Sequence, residues 1–216
     1  MRPETPDLDE HTSLASIGAD SLLPQSMHEH VELAGGLGDV LNARGVALSS
    51  SRVLGPVLMG STLPGLRLVD CMLERADCSN ATWVDARLVR CRFTASKATG
   101  FDARGGELRD VAFADCKMPD AFFVESTLDR VRFDRCQLSN LDLSGAKLGR
   151  VAMYDCDLRG MRLMGARIES LDLRGSRIEG WTIEPASVSK LIIDPLQAPA
   201  LAHALGARVA ELGEDV

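Results

Sequence analysis

Six cysteines and four histidines are the residues of this 216-residue chain best suited to metal, redox or nucleophilic chemistry. Their spacing argues against each use. Cys71 and Cys91 stand twenty positions apart, as do Cys116, Cys136 and Cys156 in turn; Cys78 stands alone, and no C-x-x-C pair occurs. Zinc and dithiol sites need closely spaced pairs that a short loop turns toward one point. The histidines are His11, His28, His30 and His203, and His28-Glu29-His30 offers two imidazoles without a third ligand. Ser-His-Asp or Cys-His catalysis therefore has no imidazole between residues 31 and 202. The chain contains no G-x-G-x-x-G, G-x-x-x-x-G-K-[ST] or H-E-x-x-H motif. A carboxylate-pair hydrolase would still need a cleft. The expectation is a protein that is not an enzyme, with no cofactor and no metal.

The same cysteines become informative through the elements that must position them. Cut into fives, the chain reads CRFTA, VAFAD, STLDR, VRFDR, CQLSN, LDLSG, AKLGR. The third residue is apolar in every quintet from Leu48 to Ile183, and the first is mostly small or apolar, as at Cys71, Ala76, Ala81, Val111, Cys116 and Ala146. Charge concentrates at the second, fourth and fifth positions, and glycine is common at the fifth. A period of five fits neither the helical 3.6 nor the strand 2.0. It fits a chain that turns a corner at every fifth residue, so that four sides close a coil of twenty and stacked coils bury one continuous column. Phe93, Phe113 and Phe133 share the cysteines' interval. All six thiols thus read as free, small, buried residues, their parallel side chains unsuited to disulfide geometry. Ala98 and Ala103 are the thin part of the column, and Phe101 is placed to fill it.

This pattern resembles the pentapeptide-repeat family, whose unit reads roughly A-(D/N)-L-x-x, over about residues 46 to 184. The resemblance implies an all-β solenoid, a right-handed quadrilateral β-helix of about seven coils, or a rod of roughly 34 Å at one β spacing per coil. Residues 1–30 are acidic, contain Pro3, Pro6 and Pro24, and read as a mobile tail. Residues 31–184 form the coil, regular from 46, with Leu33, Gly38 and Ala43 in a weak first turn. Residues 185–216 form a helical C-terminal cap. Leu201, Leu205, Val209 and Leu212 lie one to a helical turn and would cover the last coil near Trp181 and Ile193. Ala204 and Ala207 would then face a second copy, because the family resemblance implies a homodimer through this element. In the alternative, Gly206 stops the helix and leaves the following residues extended.

Charge bears on partners. The formal net charge is −7, but residues 1–45 hold two basic and eight acidic groups, residues 185–216 two and four, and residues 46–184 twenty and nineteen. The coil is close to neutral, so no direct nucleic-acid partner is expected. No apolar run reaches the roughly 18 residues that a membrane span requires. The N-terminus lacks an apolar core segment, so no secretory signal is expected either. Free thiols point to the cytoplasm. The leading reading is a non-catalytic scaffold that engages an unknown protein partner through the faces of a rigid rod. The family resemblance implies the alternative, a DNA mimic that binds and protects or inhibits a type II topoisomerase such as DNA gyrase, in antibiotic or toxin self-resistance. Asp85, Asp102, Glu125, Asp142 and Glu184, set against Arg104 and Arg162, form the candidate acidic face on the side centred on Trp83, Phe123 and Leu143. Duplex DNA over the same length presents about 20 phosphates, so this stripe is thin. Elsewhere Asp70, Arg90, Asp110 and Arg130 alternate in one column and Asp115, Arg135 and Asp155 in another, which favours pairing between coils.

Overall fold

A chain that must turn at every fifth residue needs a backbone conformation at each corner that ordinary residues resist. Fifth-position residues provide it: Gly100, Gly105, Gly145 and Gly160 have φ between 64° and 72°, and Asn80, Asp85, Asp120, Glu125 and Asn140 adopt φ of 55–59°. At many corners the third-position carbonyl also accepts the N–H three residues on, as in Ala81 to Cys78 at 3.1 Å and Phe101 to Ala98 at 3.2 Å. A positive φ at the third residue of such a turn is the requirement of the type II geometry.

The computed structural model describes residues 3–6, 12–35 and 40–209. Its strands are β1 (Ala15–Ile17), β2 (Met27–Glu29), β3 (Val31–Ala34), β4 (Ala47–Ser49), β5 (Arg52–Leu54), β6 (Arg67–Val69), β7 (Met72–Glu74), β8 (Arg87–Thr94), β9 (Glu107–Ala114), β10 (Thr127–Asp134), β11 (Lys147–Tyr154), β12 (Arg167–Asp172) and β13 (Leu191–Ile192), followed by helix α1 (Ala198–Ala204). All the strands pair in parallel. Leu88 stands beside Leu108, Leu108 beside Leu128 and Leu128 beside Leu148, so the register advances by twenty at each step. Of the four eight-residue strands, β8, β9 and β10 bend at Arg90, Asp110 and Arg130, where φ is 49–56°, so each of these covers two sides. The other two sides pair through single bridges, such as Asp77 with Lys97 and Thr82 with Asp102.

This is the four-sided parallel β-helix expected from the repeat. Every third-position residue from Leu48 to Ile183 is buried except Ile168, which is half-buried. The length differs from expectation. Ten strands stack in one path from β1 to β13, making about nine coils rather than seven, or roughly 43 Å. The coil also begins before residue 31, because Ala15–Ile17 pairs with Val31–Leu33. That first step advances by sixteen positions instead of twenty, so the quintet register is broken there and the sequence pattern hides the turn. Leu33 and Ala43 are buried as the weak register suggested; Gly38 lies outside the described residues.

Candidate functional site

The interior leaves little room for chemistry. Phe93, Phe113 and Phe133 stack at 4.6 and 4.7 Å between ring centroids, with interplanar angles of 23° and 5°. Phe101 does fill the thin region: its ring meets Trp83 edge-on at 5.0 Å and Phe123 at 6.0 Å. The void left beside Ala98 is about 10 Å3, the scale of one water molecule.

All six cysteines are free and buried, yet every one but Cys78 is more than apolar filler. Cys71 Sγ donates to the carbonyls of Val69 at 3.3 Å and Leu48 at 3.4 Å. Cys91 repeats that arrangement one coil on, and Cys116 does so on the adjoining side. Ser96 Oγ uses the same pair of acceptors, Thr94 at 3.1 Å and Leu73 at 3.2 Å. One ladder therefore runs Ser96, Cys116, Cys136, Cys156, Ser176, a column of small donors satisfying inward carbonyls. Burial, followed by the charge of Asp77, pushes the Cys78 thiol well up. Hydrogen bonding with Cys136, together with burial, does the same for Cys116 and Cys156, while those two bonds pull the Cys136 thiol between them down. The raised thiols are poor nucleophiles and poor metal ligands, and Cys136 is buried beneath its neighbours. Among the described residues, no group of three or more His, Cys, Asp and Glu side chains is placed to hold a metal ion, and no helix is long and apolar enough to cross a membrane.

The outer sides carry the remaining chemistry. The Trp83 side holds the five acidic candidates. Asp102 is clamped by Arg104, with Nη2 to Oδ2 at 2.7 Å. Asp142 accepts from the Ser144 N–H at 3.0 Å and from Arg162 at 3.0 Å. Glu184 accepts from the Gly165 N–H at 3.0 Å. Asp85 and Glu125 are exposed, and neither makes an ion pair among the described residues. The stripe thus has two of its five carboxylates paired with arginine and a third bonded to a backbone N–H. In the charge columns, Arg90 binds Asp70 through two contacts of 2.6 and 2.7 Å, Arg130 binds Asp110 through two of 2.5 Å, and Arg135 binds Asp115 through two of 2.8 Å. Asp110 is only 3% exposed. The Arg130 bonds hold its carboxyl below the usual range against the opposing effect of burial.

The cap departs from expectation in detail. Helix α1 ends at Ala204, and Gly206 has φ of 82°, so the glycine stop applies. Leu201 packs on the core with Ala200 and Ala204, and Ala204 is half-buried there. Leu205 and Val209 are 41% and 47% exposed instead of covering the coil, because the helix that would turn them inward has stopped. Ala207 is exposed, and Leu212 lies outside the described residues. The central closing residue is Gln197, whose Nε2 donates to Leu173 O at 2.7 Å and Ser176 O at 2.6 Å. Its Oε1 accepts from the Asp194 N–H at 2.9 Å, while the Asp194 side chain accepts from the Leu196 N–H. The spacing Asp194-x-x-Gln197 is the sequence mark of a capping box and was the available signal.

Residues 107–145 and 142–180 match the family model for pentapeptide repeats, in eight copies. Residues 107–180 are pentapeptide repeats. Among solved structures, the repeat coil is similar to trypsin-treated QnrB1, a plasmid-mediated fluoroquinolone resistance protein, at 17% identity over 86% of this chain and 100% of that one, with a TM-score of 0.40. It is similar also to HetL, a pentapeptide-repeat protein involved in heterocyst differentiation regulation from the cyanobacterium Nostoc, at 14% identity over 82% and 92%, with a TM-score of 0.38. No curated protein matches the repeat chain at a significant level.

Proposed function

We propose that this protein is a non-catalytic scaffold that engages a protein partner through the outer sides of its coil. The observation that carries this reading is the filled column: the inward positions are occupied by packed side chains, so the chain offers its chemistry outward, at positions fixed by the coil register. Reduced thiols fit a cytoplasmic location. The full-length chain, immobilised, should retain a partner that is lost when charges are reversed on one side and kept when they are reversed on another. Identical retention by every variant would overturn the reading.

A second reading, binding to a type II topoisomerase as a DNA mimic, is favoured by the exposed Asp85 and Glu125 on the side that also carries Asp102, Asp142 and Glu184. Its weakness is the internal pairing of Asp102 and Asp142. In a gyrase supercoiling assay this reading expects inhibition that Asp85→Lys with Glu125→Lys removes. No inhibition at micromolar protein would end it. Self-association belongs with either reading, through the C-terminal end, where Leu196, Leu205 and Val209 are each exposed.

A further inference from the structure

The side centred on Phe93, Phe113 and Phe133 is not uniform. Its outward residues on the Phe113 rung are Ala112 and Ala114, whereas the rungs on either side present Arg92 and Arg132. The result is a trough one coil wide, floored by two methyl groups and walled by guanidinium groups. Arg132 is held by Asp134 at 2.6 Å and lies over the Tyr154 ring at 4.9 Å. Arg92 is exposed and makes no ion pair among the described residues. At the adjoining corner stand Arg90 and Arg130.

Residues 3–6 of the chain itself lie on this trough. Thr5 and Pro6 line it together with Arg92, Ala112, Ala114 and Arg132, while Pro3 reaches toward the next dip, at Ala152. The Glu4 N–H donates to Asp110 Oδ1 at 3.4 Å, more than a hundred positions away in sequence, and the Glu4 charge acts on both Arg90 and Arg130. The fit is loose. Space of about 440 Å3 remains around the segment over the trough and about 220 Å3 beside Pro3. Both spaces are open to solvent, so the segment lies across the trough without filling it. The segment is short, proline-flanked and acidic, and the sequence continues with Asp7, Asp9 and Glu10. Proline keeps such a segment extended and lowers the entropy lost on seating it.

We propose that the trough over Ala112 and Ala114 is a docking site for an extended, acidic, proline-containing segment of a protein partner, and that residues 3–6 occupy it in the free protein as a weak internal competitor. The proposal rests on the scaffold reading and specifies one side and one partner chemistry for it. Small floor residues admit a backbone close to the sheet, the unpaired Arg92 supplies the charge that an acidic side chain answers, and the loose seat makes the internal segment displaceable.

The test uses the full chain and, as probe, a labelled synthetic peptide with the sequence of residues 1–11, followed by fluorescence anisotropy. Glu4→Lys or Pro6→Gly in the chain weakens the internal segment without touching the coil, so the peptide should bind these variants roughly fivefold or more tighter than the unaltered chain. Adding Ala112→Glu, or separately Ala114→Glu, at outward positions that leave the column intact, should then remove about tenfold or more of that affinity. Circular dichroism confirms that each variant is folded. Equal affinity for altered and unaltered chains, or binding that survives both alanine replacements, would overturn the proposal. Partner retention that depends on another side would meanwhile leave the scaffold role standing.

Discussion

Replacing Phe113 by alanine tests the inward register at its most demanding point. The ring is fully buried between Phe93 and Phe133, at 4.6 and 4.7 Å. Truncation removes on the order of 150 Å2 of apolar surface, worth about 4 kcal/mol. It also breaks two ring stacks, each worth roughly 0.5–1.5 kcal/mol. The neighbours recover part of this loss by relaxing, but strands pinned above and below by the hydrogen-bond ladder between coils have little freedom to close the gap. The expected cost is therefore about 3–5 kcal/mol. Guanidinium unfolding followed by far-ultraviolet circular dichroism measures it, and Phe122→Ala is the internal control. Phe122 points outward on the Trp83 side, so its loss should cost less than about 1 kcal/mol. Because coils couple mainly to their neighbours, hydrogen exchange should accelerate first in β8, β9 and β10. A shift for Phe113→Ala below about 1 kcal/mol, with the denaturant slope unchanged, would refute the packing argument.

Other expectations follow from named contacts. Ala95 has φ of 50° and an exposed side chain; Ala95→Gly should raise stability by about 0.5–1 kcal/mol and Ala95→Val lower it by about 1–2 kcal/mol, both read from unfolding midpoints. Ser61 Oγ accepts the buried Trp83 Nε1–H at 3.0 Å, so Ser61→Ala should cost about 1–3 kcal/mol by orphaning that donor. Asp110, Asp115 and Asp157 are held below the ordinary carboxylate range chiefly by hydrogen bonds from Arg130, Arg135 and Arg159. Their contribution is complete above the unfolded value of about 4 and is lost as pH falls through the lower folded values. Thermal melts should therefore drop below about pH 4, and less steeply for Asp110→Asn; an unchanged slope would contradict the Arg130 pairing. The six thiols should resist a disulfide reagent until denaturant is added, and labelling of several in native buffer would contradict their burial.

Much of the fold was legible because the period of five survives substitution. Ala98, Cys78 and Met118 hold the same inward position as leucine elsewhere, so the pattern tolerates weak members. The first turn was hidden because β1 meets β3 after sixteen positions, and a quintet count has no means of seeing a shortened side. The cysteines read as small and buried, which holds, but the role of Cys116, Cys136 and Cys156 as donors to two carbonyls is plain only beside Ser96 and Ser176, which stand in the same ladder. Neutralisation of the acidic stripe was half visible: Asp102 and Arg104 share a strand face by the two-residue alternation, whereas Asp142 meets Arg162 across a coil. Nothing in the opening residues pointed to the trough over Ala112 and Ala114. That placement includes a hydrogen bond from the Glu4 backbone N–H to the Asp110 carboxylate, and a backbone donor meeting a carboxylate over such a separation leaves no local pattern.

The twenty-residue register between all coils after the first has a consequence for how such a chain can change in length. An insertion of one quintet preserves the inward pattern at every later position, so the column still fills. It nevertheless turns all downstream sides by one quarter relative to those upstream. Arg130 would no longer stand over Asp110, and the trough would lose the Arg132 wall. Four added quintets lengthen the rod by one rung, roughly 4.8 Å, and return every side to its place, with the new coil separating only the two rungs it joins. The core thus accepts change in steps of five, while the surface accepts it in steps of twenty. Gain or loss of whole coils is then the inexpensive route to a longer or shorter rod, and any face that binds a partner anchors the phase of all the coils it spans.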